Sequence, residues 1–129
     1  MRFLLQLVVF SMLTIMASSA SYAATAVHIF RCAELEGASE EKIEELASKW
    51  LKAAKSMKGG EDIQAFVYYP LAANIAEGDL FFMIVAPSAA KWGEFWDGYK
   101  DSPAEAVDAE TAGVVSCPDS NLFEGIRIE

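Results

Sequence analysis

Asp79-Leu80-Phe81-Phe82-Met83-Ile84-Val85-Ala86-Pro87-Ser88, followed by Trp92, Phe95, Trp96 and Tyr99, is the stretch whose reading decides the fold. Seven apolar residues run unbroken from Leu80 to Ala86. The run is too short and too rich in β-prone side chains for a helix, so it reads as a strand buried on both faces. Ser88 after Pro87 is a helix N-cap signal. The aromatics beyond it recur at i, i+3, i+4 and i+7, one stripe of a helix able to lie back on the strand. A strand covered on both sides needs helices on one face and a second cover on the other.

Upstream of this stretch, Thr25 to Ala33 reads as a strand, with Val27, Ile29 and Arg31 on one face and His28, Phe30 and Cys32 on the other. Glu34 to Ala38 is a loop. Ser39 then caps a helix whose first turns hold Glu40, Glu41, Glu44 and Glu45, favourable at the positive end of the helix dipole. Ile43, Leu46, Ala47, Trp50, Leu51, Ala54 and Met57 give it a continuous apolar stripe, lysines crowd its second half, and Gly59-Gly60 is its expected stop. Gln64 to Leu71 reads as a strand joined through Ala72 to Gly78, in a hairpin, to the strand at Leu80.

Downstream, Gly93 and Gly98 interrupt the aromatic helix. They either let its backbone approach the sheet or a ligand, or are packing details. Ser102-Pro103-Ala104-Glu105 combines a capping box with a first-turn proline and starts a short helix ending near Gly113. Cys117 to Ser120 reads as a turn and Asn121 to Glu129 as the last strand.

The order strand, helix, strand, strand, helix, strand is the ferredoxin-like α+β arrangement, an antiparallel sheet with helices on one face. That topology sets the last strand antiparallel beside the first, so Cys32 and Cys117 fall together. An even cysteine count in an exported chain independently favours one disulfide between the same two residues.

Export is the reading of residues 1–23. Arg2, an apolar run from Phe3 to Met16 and small residues up to Ala23 form a signal peptide, with Ser21 and Ala23 at the positions signal peptidase reads. The competing reading, a membrane anchor, asks too short a run to span about 30 Å of hydrocarbon. Removing 23 of the 129 residues leaves 106, one domain over residues 24–129, in the periplasm or secreted. Arg2 is the leader's one charge, so the formal net charge goes from −9 to −10. So acidic a surface repels phosphate backbones and anionic lipid, which argues against nucleic-acid and membrane partners.

No phosphate loop, nucleophile elbow, histidine pair or CxxC is present, and no metal or cofactor is called for. The stripe Trp92, Phe95, Trp96 and Tyr99 is either core or the wall of a pocket for an aromatic ligand.

From Ala26 to Glu129 the chain resembles the dimeric α+β barrel superfamily, which includes antibiotic-biosynthesis-type monooxygenases and stress-responsive A/B-barrel proteins. The resemblance rests on Val27-His28-Ile29-Phe30 in the first strand, the acidic-to-basic first helix and the aromatic second helix. It implies a homodimer in which two sheets pack face to face around a pocket. The competing arrangement is a monomer whose open sheet face is capped by the segment from Pro103 to Val115. The resemblance also implies, for a cyclase- or monooxygenase-type enzyme without cofactor, His28 as acid/base with Tyr68 or Tyr69 as partner. Against this stands a structural histidine at position 28. Related barrels bind haem, but one histidine on an apolar strand argues for none. The favoured function is binding of a small apolar or aromatic molecule, or action through the dimer.

Overall fold

The computed structural model describes residues 24–128; the expected signal peptide lies outside them. Along the chain run β1 (Thr25–Glu34), α1 (Glu40–Lys55), β2 (Gln64–Tyr68), β3 (Asp79–Ala86), α2 (Ala89–Asp97), α3 (Pro103–Thr111) and β4 (Val115–Gly125). The strands form one sheet in the order β2-β3-β1-β4, every neighbouring pair antiparallel. This is the ferredoxin-like α+β fold expected from the element order, with α2 and α3 following the helix starts at Ser88 and Ser102.

Strand alternation sorts the sheet into two faces. Phe30 pairs with Phe82 and His28 with Ile84, and Ala26, Cys32, Leu80, Ile84 and Ala86 are buried toward the helices. The register therefore puts Val27, Ile29, Phe81, Met83 and Val85 on the opposite face, joined by Phe66 and Tyr68 of β2 and Phe123 of β4. No described element covers that second face. The segment from Pro103 onward does not cross it: α3 buries Ala104 and Val107 in the same core cluster as Trp50 and Ala54 of α1. Arg31 and Asp79 close one end of the open face as an ion pair across β1 and β3, 2.6 Å apart.

The three helices begin where their caps dictate. The Oγ atoms of Ser39, Ser88 and Ser102 accept the N–H groups of Lys42, Lys91 and Glu105 at 3.1–3.2 Å. In α1 the buried residues Ile43, Leu46, Trp50 and Ala54 keep the expected stripe. The helix ends at a Ser56 cap rather than at Gly59-Gly60. Gly59 serves another purpose. It sits at φ +81°, and a Cβ there would lie 2.7 Å from the Phe95 amide nitrogen, so its missing side chain lets the turn pass beneath α2. Gly93, by contrast, faces open space and brings no backbone close.

Three strand boundaries also differ from expectation. β2 stops at Tyr68, short of Leu71, because Pro70 cannot donate to a ladder. β4 starts at Val115, runs through the segment expected to turn, and ends at Gly125 rather than continuing through Ile126 to Ile128. Its register slips between Arg31–Asp119 and Ala33–Ser116, a bulge that absorbs Pro118 on an edge strand. Opposite the slip, Cys32 is joined to Cys117, 85 residues away, with Cα atoms 4.0 Å apart.

Candidate binding site

The helix-side core is not continuous. One cluster of buried side chains gathers Trp50, Ala54, Ile63, Ile84, Phe95, Ala104 and Val107 around α1, α2 and α3. A second joins Cys32, Ile43, Leu80 and Val115 at the other end of the sheet. Phe30 and Phe82 lean on both. Between the clusters lies a cavity of about 270 Å³. Phe30, Leu80, Phe82, Ile84 and Val67 form its floor, Ile43, Ala47 and Trp50 of α1 its roof, and the Cys32–Cys117 disulfide one end wall. Trp96 and Tyr99 close a side, and Asp108, Thr111 and Ala112 of α3 form its rim.

Two polar groups of this wall are joined: Trp50 Nε1 donates to Tyr99 Oη at 3.1 Å. Burial, its largest cause, pushes the Tyr99 hydroxyl up to about 12, so it stays protonated across the physiological range. Burial raises the Asp108 carboxyl above its ordinary value, against the lowering pull of the neighbouring Tyr99 hydroxyl. Thr111 Oγ1 donates to the Val107 carbonyl at 3.0 Å.

Of the aromatic stripe read as a ligand wall, the cavity takes Trp96 and Tyr99. Phe95 is wholly buried and meets Trp50 edge to face at 5.9 Å. Trp92 packs on His28 instead, with ring centroids 5.8 Å apart. His28 lies beneath α2, against Phe30 at 4.1 Å and Trp96 at 5.6 Å. The structure brings it to neither Tyr68 nor Tyr69. Tyr68 pairs with Phe81, which faces Arg31, so it stands on the open face, two strands across and three residues along from His28, roughly 14 Å away. Tyr69 lies beyond the end of β2, where its hydroxyl donates to the Glu40 carbonyl at 3.4 Å. Trp50, Asp108 and Thr111 were not singled out from sequence. Ala104, Val107, Asp108 and Thr111 fall at i, i+3, i+4 and i+7, a spacing that puts Asp108 beside the buried side of α3.

Around His28 three buried polar atoms have no hydrogen-bond partner: His28 Nδ1, Trp92 Nε1 and Trp96 Nε1. Burial lowers the His28 pKa from 6.5 and is its one resolved cause. The unfolded chain then binds the proton more readily than the folded one, so folding stability is complete above pH 6.5 and declines as pH falls through the folded pKa. His28→Leu should flatten this decline. Thermal melts between pH 7.5 and 5 check it: wild type should lose more stability than the variant on acidification, and parallel curves would show that His28 does not titrate between the two states. Among the described residues no group of three or more acidic, histidine or cysteine side chains could hold a metal ion.

No protein-family model and no curated protein sequence matches the chain. Solved structures do. SnoaB, a cofactor-independent oxygenase from Streptomyces nogalater, is similar at a TM-score of 0.57 and 7% identity, over 82% of this chain and 97% of that one. A protein of unknown function from Nitrosomonas europaea gives 0.56 and 14%, over 84% and 95%. The hydroxynitrile lyase from Passiflora edulis gives 0.53 and 13%, over 84% and 96%. At these identities the likeness is one of fold alone, the ferredoxin-like α+β fold described above.

Proposed function

We propose that this is an exported protein that binds a small, largely aromatic or apolar molecule between its sheet and helices, as a two-fold dimer. The observation that carries the binding reading is the cavity. Well-packed domains leave few voids larger than a water molecule, yet 270 Å³ stays open here at the junction of two core clusters. That volume lies between the ~150 Å³ that takes up a benzene ring and the ~300 Å³ at which pockets for drug-sized ligands begin. Its lining is apolar except for one rim, the usual design of a small-molecule site.

Native mass spectrometry of the protein recovered from its own host should show a bound species of one or two rings. Ala47→Trp, which fills the roof, should abolish it. A ligand-free spectrum, or one unchanged by Ala47→Trp, overturns the reading. The intact mass also reports whether the chain begins at Ala24, as cleavage after Ala23 requires.

A second reading, a cofactor-independent enzyme with His28 as acid/base, is favoured by the unpartnered His28 Nδ1, one ring removed from the cavity through Trp96. SnoaB is an oxygenase without cofactor on this fold. Recovery of the bound molecule chemically unchanged after prolonged aerobic incubation would eliminate it.

Dimerisation is supported by the open sheet face. Phe66, Tyr68 and Phe123 are each 40–52% exposed there, beside Val27, Ile29, Met83 and Val85. Side chains of this size each gain roughly 1.5–3 kcal/mol on full burial, and a second copy presents the same face under two-fold symmetry.

A further inference from the structure

We infer that the Cys32–Cys117 disulfide is a redox-operated wall of this cavity. Oxidised, it closes the site around its ligand; reduction by a dithiol opens that end and releases the ligand. This rests on the cavity being a binding site and adds how that site is regulated.

The bond stands between the cavity and solvent. Cys32 is 1% exposed and belongs to the buried cluster with Ile43, Leu80 and Val115. Cys117 is an exposed residue, and both cysteines line the cavity. Val115 and Cys117 are the share of β4 in that lining. A reductant arriving from outside therefore meets a bond whose inner half is the end wall.

The ladder is interrupted at the same level. The β1–β4 pairs run from Thr25–Gly125 to Arg31–Asp119 and resume at Ala33–Ser116. They skip Cys32, opposite which Cys117 and Pro118 stand as two residues against one. Pro118 has no N–H to give a ladder. From Ser116 to Glu124 every residue of β4 is exposed, so side-chain burial does not hold the slipped stretch either. The sulfur bond is the covalent tie across the slip, and the pairs on each side of it do not depend on that tie.

Reduction acts there. A thiolate of the dithiol attacks one cysteine sulfur and displaces the other, and the second thiol then frees the first cysteine. Two electrons and two protons pass to the protein, which ends with two thiols while the reductant ends as a disulfide. Two thiols need van der Waals separation where a bond had joined them, so Cys117 moves off Cys32. The stretch from Ser116 to Pro118 leaves the cavity end while β1 stays paired with β3. The coupling is reciprocal: an occupied cavity favours the disulfide by the factor by which the disulfide favours the ligand.

The test uses naphthol as the probe. It is titrated by calorimetry into oxidised protein, protein reduced with dithiothreitol, and a Cys32→Ala/Cys117→Ala variant, at about 15 °C, near the usual maximum of domain stability. Both disulfide-free forms should keep the circular dichroism spectrum of the oxidised protein and bind naphthol about tenfold or more weakly. In a buffer of fixed dithiol-to-disulfide ratio, saturating naphthol should shift the protein toward its oxidised form by the same factor. Hydrogen exchange of the reduced protein should quicken at residues 114–119 and stay slow along β1 and β3.

Folded disulfide-free protein that binds naphthol as tightly as the oxidised form overturns the inference and leaves the cavity a binding site. Unfolding on reduction at this temperature, or exchange quickened across the whole sheet, overturns it too, because the bond would then hold the domain and not a wall. If naphthol binds none of the three forms, the inference and the binding reading both fall.

Discussion

Reduction of the Cys32–Cys117 disulfide is expected to lower the melting temperature by roughly 15–40 °C. The bond spans 85 residues, and opening so long a loop returns about 4–5 kcal/mol of chain entropy to the unfolded state. In a domain near 100 residues each kcal/mol moves the midpoint by about 4–8 °C. The local structure gives the bond added weight. After Val115, β4 is exposed almost throughout, so little apolar burial holds this edge strand to β1. Calorimetry with and without a phosphine reductant, and of a Cys32→Ala/Cys117→Ala variant, measures the effect. The reduced protein should also be cut first within β4 by added protease. A midpoint that moves by only a degree or two would mean that the β1–β4 ladder is sufficient alone.

The second large effect concerns the open sheet face. Met83→Glu or Val85→Glu should convert the proposed dimer to a monomer that is still folded, raising the dissociation constant on the order of a hundredfold or more, because an unpaired carboxylate would be stranded at the centre of the contact. Leu80→Glu or Ile84→Glu, on the helix face where both residues are at most 2% exposed, should instead unfold the chain. The contrast separates association from stability along one strand. Sedimentation velocity at micromolar concentration reads the first pair and circular dichroism the second. Wild-type protein sedimenting at the mass of one chain would refute the dimer.

Much of the fold was legible because its signals are local. Ser39, Ser88 and Ser102 each announce a helix, and all three caps form. The disulfide was legible because two independent lines, element order and cysteine parity, met on one pair of residues. What could not be read has physical reasons. In the run Leu80 to Ala86 every residue is apolar, so alternation could not say which half faced the helices. The strand through Cys117 was hidden because Pro118 normally ends a ladder, and the register slip opposite Cys32 exists only once β1 and β4 are paired.

The site was less legible than the fold. Tyr99 and Trp96 stood out as part of an aromatic stripe, but a stripe does not say whether its side chains fill space or leave it open. The cavity arises where two clusters on different elements fail to meet, a matter of interhelical distance that no single segment encodes. Trp50 was read as core, which it also is, and the helical spacing that sets Asp108 beside the buried Ala104 and Val107 did not say that a cavity lay there.

The pairing of the first strand with the last governs how this chain acquires its shape. β1 pairs on one side with β3 and on the other with β4, so half of its ladder waits for Val115–Gly125 to leave the ribosome. Contacts that span nearly the whole chain form late, after the loop entropy between them has been spent. Until then β1 has a free edge and the disulfide has no partner thiol in place. The sheet is therefore incomplete for most of the chain's synthesis. Completion of the sheet and oxidation of Cys32 become a single late event, set by the arrival of the last strand.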